Sequence, residues 1–486
     1  MIDTNALRKK VLDLAIRGKL VPQNPNDEPA SVLLERIREE KQRLIREGKI
    51  KKDKVDSVIF RGDDNCHYEK IGDTVKKIDL ELPNGWEFCR LSLVCWLNNG
   101  EKSSGEKLPY LDARTLRGKN DKTYLDNGII VTEGEKVILV DGENSGEVFI
   151  VPYRGYMGST FKILQMVSNI NVEFIKIILD YYKDILKESK TGAAIPHLNK
   201  QLLKSIIIGV PPIDEQNRIV SQVQQIMQYI DLLENNQNDY ANLVETLKKA
   251  VLQSAIQGTL VEQDEADEPA SILLGRIREE KRKQLGKKYI ESYIYKGDDN
   301  RYYEHIGDND IDITEEIPYD LPKNWCFTRL NEYLDVRDGT HDSPKYCESG
   351  YPLVTSKNLS NGAIDFSTAK MISEKDYIAI NERSFVDNND ILFAMIGSIG
   401  NPVLVKKDRD FAIKNMALFK QRTLIQNMEY MLYYSTYIQD SLRRKTSGAL
   451  QPFISLNFFR NLIIPIPPLA EQERIVSKIN EIFAQL

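Results

Sequence analysis

Along residues 215–257 the apolar positions Ile219, Val223, Ile226, Ile230, Leu233, Leu243, Leu247, Val251 and Ala255 return at steps of three and four. That period predicts one long helix, or two with a break near residues 235–238, with Asp214 as its N-cap and Gly258 as the glycine just past its end. About 43 residues at 1.5 Å each reach roughly 65 Å, more than one core needs, so the segment reads as a spacer rod. Elsewhere the pattern shortens. VILVDGENSGEVFIV (137–151) and DILFAMIGSIGNPVLV (390–405) are brief β-like runs broken at glycine turns, and helical stretches follow at 172–187 and 428–444. These two blocks predict mixed α/β domains.

The chain also repeats itself. Residues 7–41 realign on 247–281 at a constant offset of 240, with 23 identities in 35 positions, among them DEPAS at 27–31 and 267–271 and RIREEK at 36–41 and 276–281. The match continues through GDDN (62–65, 297–300), YExIGD (68–73, 303–308) and LPxxWxFxRL (82–91, 321–330). A further block, PPxxEQxRIVS, stands at 211–221 and again at 467–477, shortly before the end. In mid-chain this block runs on into LKKAVLQSAIQGTL, whereas its second copy closes the chain and the partner of the continuation opens it. That is the pattern of a circularly permuted duplication, and it predicts that the two terminal segments together rebuild a second spacer, antiparallel to the first. Residues 231–240 have no terminal counterpart, so the second spacer is shorter. Between the landmarks the two blocks have diverged, although LPYLDARTLRG (108–118) still echoes YPLVTSKNLSNG (351–362), which sets Arg114 opposite Lys357.

A length of 486 residues suggests about three domains, and the repeat refines this to residues 1–57 as an N-terminal helical part, 58–212 as a first recognition block, 213–290 as the central helical spacer, 291–468 as a second block and 469–486 as a terminal helix. The absence of a long apolar run predicts a cytoplasmic protein without a membrane anchor. Five scattered cysteines argue against a disulfide framework and against a zinc site. The net charge of −6 argues against nucleic acid at first sight. It is unevenly spread: residues 81–212 carry 16 basic and 16 acidic side chains, and residues 321–468 carry 18 and 15. Two neutral-to-basic blocks between acidic connectors permit DNA contact.

No phosphate-binding loop, HExxH, nucleophile elbow or dinucleotide fingerprint occurs, and Gly397-Ser-Ile-Gly400 reads as a tight turn. With DEPASxLLxRIREEK, LPxxWxFxRL, PPxxEQxRIVS and their permuted order in view, the chain resembles the specificity subunit of type I restriction-modification systems over nearly its whole length. The resemblance implies an α/β fold of two target recognition domains separated by long antiparallel helical spacers. It implies no catalytic residue, metal or cofactor on this chain. The expected partners are double-stranded DNA, two modification (methyltransferase) subunits and restriction subunits, with S-adenosylmethionine, ATP and Mg on those partners. The complex would be an adenine-N6 DNA methyltransferase and an ATP-dependent endonuclease. A nuclease with dispersed carboxylates and a protein-only coiled-coil adaptor are the alternatives.

DNA affinity requires cations on phosphates, and sequence choice requires side chains at base edges. In the second block the Gly/Pro-broken run 336–346 supplies Arg337, Thr340, His341 and Lys345, and Lys357, Asn358, Ser398, Lys414 and Asn415 are further candidates. In the first block the candidates are Lys102, Ser103, Ser104, Lys107, Arg114, Arg117, Lys119, Ser145 and Lys162. Lys190 and Thr191, like Arg443, Arg444 and Lys445, stand just before a glycine turn and suit phosphate binding, or helix capping. Trp86 and Trp325, flanked by apolar residues at a shared repeat position, read as core anchors and not as base-stacking platforms.

Overall fold

A computed structural model describes residues 1–52, 57–119, 123–189, 197–446 and 453–486. The chain forms two compact units, Met1–Asp239 and Tyr240–Leu486. Each unit therefore joins a block to the frame segments that support it, which is a coarser division than the five segments the sequence suggested. The boundary falls inside a single α-helix, Ile213–Ile256. There is no break at 235–238, because interior asparagines cost a helix only a few tenths of a kcal/mol each. Asp214 lies in the first turn and is not the N-cap: the helix starts behind Pro211 and Pro212, and the Gln216 amide donates to the Pro212 carbonyl at 2.9 Å. Gly258 does end it, with φ +73.

In the first unit the helix Thr4–Ile16 runs antiparallel to the early part of the long helix. The Ile2 amide donates to Gln237 at 2.6 Å, Arg8 meets Asp231 at 2.6 Å and Glu234 at 2.8 Å, and Val11 and Ala15 share a core with Ile219, Val223 and Ile230. Leu7, on the same helix, stays exposed. In the second unit the helix Leu469–Ala484 does the equivalent on the later part: Ile475, Val476 and Ile479 pack with Val251, Leu252, Ala255 and Ile256, and Lys248 sits 5.5 Å over the Phe483 ring.

The repeated motifs are the ties of this frame. Asp27 of the first DEPAS pairs with Arg218 of the first PPxxEQxR at 2.6 Å, and Asp267 pairs with Arg474 at the same distance. Gln216 and Gln472 each donate to the carbonyl five residues back, at 2.9 Å, closing the Pro-Pro turn. Trp86 and Trp325 are buried, as their apolar neighbours predicted.

Two of the sheets correspond strand for strand between the units. A three-stranded antiparallel sheet comes first (Ser57–Arg61, His67–Ile71, Thr74–Lys77; Ser292–Lys296, Tyr302–Ile306, Asn309–Asp312). A four-stranded sheet follows, in the order Cys95–Asn98, Phe161–Met166, Lys136–Leu139, Val148–Ile150 in the first unit and Asp335–Asp338, Met416–Lys420, Ile391–Ala394, Gly400–Leu404 in the second. Beside it lies a second β layer with one parallel pairing, in the first unit a closed set of three strands (Lys102–Leu111, Tyr124–Val131, Gly155–Met157) with Tyr156 against Tyr110, and in the second a four-stranded sheet (Tyr346–Cys347, Lys370–Ile372, Tyr351–Val354, Ala412–Ile413) with Leu353 against Ala412. The helices Val172–Glu188 and Met428–Thr446 cover the four-stranded sheets close to where the periodicity placed them. Among the described residues no helix is long and apolar enough to cross a membrane.

Candidate nucleic-acid interface

In the second unit the strand Asp335–Asp338 ends at Gly339, where a Cβ would stand 2.5 Å from the Ile413 carbonyl oxygen. Only glycine lets the chain pass so close. The loop is thereby pinned to residues 413–415: the Thr340 amide donates to the Ile413 carbonyl at 3.0 Å, and the Asn415 amide donates to the Thr340 carbonyl at 3.1 Å. His341 is held between Asp338 (Nε2 to Oδ2, 2.9 Å) and Asn415 (Nδ1 to Oδ1, 3.0 Å), and Lys414 Nζ donates to Ser343 Oγ. The structure thus gathers Thr340, His341, Lys414 and Asn415, which lie about 75 residues apart in sequence, onto one edge. Lys345 is exposed beside them. Arg337 is drawn aside, bonded to Asp335 at 2.8 Å and to the Arg383 carbonyl at 3.1 Å.

Arg443 donates to the Ile399 carbonyl and to Asn401 Oδ1, both at 2.7 Å, and so holds the turn that exposes Ser398. Arg444 is exposed on the same last helical turn, and Lys445 Nζ lies 5.9 Å over Phe458. Lys357 is exposed in the short turn Ser356–Asn358, but Asn358 faces inward: its amide accepts from the Thr355 amide at 2.9 Å and donates to the Asp365 carbonyl at 3.0 Å. Asn358 is a capping residue, and its candidacy as a base reader is corrected on that ground.

In the first unit Lys102, Ser103, Ser104 and Lys107 are exposed along the strand Lys102–Leu111. Arg114 lies exposed in the helical turn Ala113–Leu116 that follows, in the same topological place as Lys357, and Lys119 is exposed just beyond it. Arg117 pairs with Glu147 and lies 5.6 Å over Phe149. Ser145 is fully buried, its hydroxyl donating to the Gly142 carbonyl at 2.6 Å, so it closes a turn and reaches no surface, a second correction. Lys162 is half-buried on the strand Phe161–Met166. Lys190 and Thr191 lie outside the described residues. The sequence reading missed Asp338 and Arg383, an ion pair that braces His341; only the three-residue spacing of Asp338 and His341 hinted at it.

A family model described as the type I restriction modification DNA specificity domain matches residues 83–241 and 322–486, more than half of the chain and once in each unit. The chain belongs to that family. Among relatives of this specificity-subunit family, the EcoAI specificity subunit of Escherichia coli is 27% identical over 98% of this chain and 88% of its own length. The MjaVIII specificity subunit of Methanocaldococcus jannaschii is 23% identical over 83% and 87%. A solved chain from work on complex assembly and conformational transition of the type I R-M system aligns with a TM-score of 0.57 at 18% identity, covering 83% of this chain and 92% of that one, which shows the shared fold. As a specificity subunit the chain is a DNA-recognition component, and its two matched domains accord with a bipartite site.

Proposed function

We propose that each unit reads one half of a bipartite double-stranded DNA site, and that the pair positions two methyltransferase subunits, and through them restriction subunits, on that site in the cytoplasm. In this reading the partners bind S-adenosylmethionine, ATP and Mg, methylate adenine at N6 and cleave DNA with ATP. The observation that carries it is a frame kept identical in its tie points, Asp27 with Arg218 and Asp267 with Arg474, around two recognition faces that have diverged. Duplicating a scaffold while changing its faces suits two different targets better than one.

The test exchanges residues 81–212 for the corresponding block of a relative and maps methylated bases in a host that carries the system. One half-site should change while the other and the gap persist. If both half-sites changed together, independent reading by the two units would be wrong.

A further inference from the structure

In the first unit the strands Lys102–Leu111 and Tyr124–Val131 share a stretch that no third strand covers. Lys102 lies opposite Ile129, Ser103 opposite Gly128 and Ser104 opposite Asn127. Among the described residues the remaining strand of this layer, Gly155–Met157, pairs only with Tyr110, Leu111 and residues 129–131. Successive residues of a strand point to opposite faces, so a ribbon packed on one side would show alternate burial. Here residues 102–107 are all exposed, and so are residues 124–127. Both faces of the ribbon therefore stand in solvent.

An isolated pair of strands is only marginally stable in water, and this one is braced. Between the pairs Ser104–Asn127 and Leu108–Leu125 the three residues 105–107 bulge opposite Asp126 alone. The fully buried Tyr156 donates its hydroxyl to the Glu106 carbonyl in that bulge at 2.8 Å, and Arg154 pairs with the Glu106 carboxylate at 2.8 Å. At Gly128 a Cβ would stand 2.9 Å from the Tyr156 ring, so glycine lets the ribbon cross the tyrosine that pins it.

The second unit is built differently at the same place. Leu164 pairs with Leu97 as Phe419 pairs with Val336, which sets Gly100 on Gly339. Past this glycine the second unit folds its loop back onto residues 413–415 and holds His341 between Asp338 and Asn415, whereas the first runs on into the ribbon. Tyr156 opposite Tyr110 corresponds to Ala412 opposite Leu353, so the pinning hydroxyl is absent there. Charge does not explain the ribbon: Lys102 and Lys107 are offset by Glu101 and Asp126, and Arg154 by Glu106. It presents hydrogen-bonding groups instead. Among the described residues no hydrogen bond is seen for the side chains of Ser103, Ser104 or Asn127, and Ser104 and Asn127, directly opposite each other, share one face. The major groove of DNA, about 12 Å wide, admits a two-stranded ribbon; there a carboxamide matches adenine N6 and N7, and a serine hydroxyl serves a donor or an acceptor.

We propose that this ribbon reads base edges in the major groove, with Ser104 and Asn127 as its specificity-determining side chains and Tyr156 as the residue that positions them. The two half-sites are then read by different devices, a projecting ribbon in the first unit and a looped edge in the second. The inference rests on the DNA-recognition reading above.

The experiment assembles the full chain with its methyltransferase subunits and follows methylation of duplexes in which each base pair of the first unit's half-site, identified by the block exchange above, is changed in turn. Ser104→Ala and Asn127→Ala should each relax one or two positions of that half-site, cutting discrimination there by about five- to hundredfold, with the second half-site and the gap kept. Tyr156→Phe, which keeps the buried ring and removes the pinning hydroxyl, should relax the same positions, and Lys70→Ala, on the three-stranded sheet, should relax none. Native discrimination in both Ser104→Ala and Asn127→Ala, while the block exchange still alters that half-site, would overturn the ribbon and spare the recognition reading. An equal loss of rate on every duplex would make the ribbon a backbone contact and overturn the proposal in the same way. A native profile in Tyr156→Phe would overturn its positioning role. If the native complex methylated no defined bipartite site, the ribbon and the recognition reading would fall together.

Discussion

The Trp325 indole N–H donates to Glu471 at 2.9 Å, and Gln263 donates to the other oxygen of the same carboxylate at 2.6 Å. Burial pushes the Glu471 carboxyl above the ordinary glutamate range, and Glu215, its counterpart in the first unit, is pushed the same way. A carboxyl with a raised folded-state pKa favours the folded protein at pH below the unfolded value, and that contribution is lost as pH rises through the folded value. In Glu471→Gln this component vanishes. Melting of the second unit in the variant should therefore match or exceed that of the native chain at pH 7, and the advantage should shrink or reverse at pH 4; scanning calorimetry at the two pH values reads it. A native chain that gains stability steadily from pH 4 to 7 relative to the variant would contradict the assignment. The buried tryptophans were legible because apolar neighbours flank them at both repeat positions. Ser145 and Asn358 were not, since a loop position and a polar side chain suggest a surface contact, and nothing in the letters shows that a neighbouring backbone group needs that side chain as a partner.

Glycines 18 and 258 close the frame helices with φ of +64 and +73, and a Cβ at either would lie 2.4 or 2.5 Å from the Pro83 or Pro322 ring. Gly18→Ala and Gly258→Ala should each cost about 1–3 kcal/mol by urea unfolding, from left-handed backbone and the proline contact together. The tie Asp267–Arg474 joins a half-exposed arginine to a buried aspartate, so a double-mutant cycle should return a coupling of about 1 kcal/mol. The frame helices were legible because their apolar stripes are long. The continuity of Ile213–Ile256 was left open because the asparagines near 235 weaken local propensity, while the contacts from Ile2 and Arg8 that order this stretch come from more than 220 residues away in sequence. Four residues inserted at 235–238 lengthen a helix by about 6 Å. Methylation mapping should then show a nonspecific gap longer by one or two base pairs, with both half-sites retained.

Each unit has its own large core, one gathering Trp86, Phe174 and Ile219 and the other Trp325, Phe393 and Phe459. Trp325 is the tryptophan of the second unit, the other two being Trp86 and Trp96, so a Trp86→Phe, Trp96→Phe background makes fluorescence report on the second unit alone. Phe459 is fully buried against Phe393 and Phe419, and Phe459→Ala should destabilise that unit by about 3–5 kcal/mol, seen as an early Trp325 transition in urea, while in a Trp325→Phe background the signal of Trp86 and Trp96 keeps its midpoint. The duplicated architecture was legible at this scale because the permuted motifs fix which segments belong together, whereas the grouping of frame with face needed the three-dimensional partners. Those partners carry an evolutionary consequence. Asp27, Arg218, Asp267 and Arg474 are ties internal to a unit, so a crossover between related genes within the stretches that encode them hands over a whole recognition face without disturbing the ties of the other. New target preferences can arise by exchange of inherited pieces, with no need to wait for point mutations to remodel a binding edge.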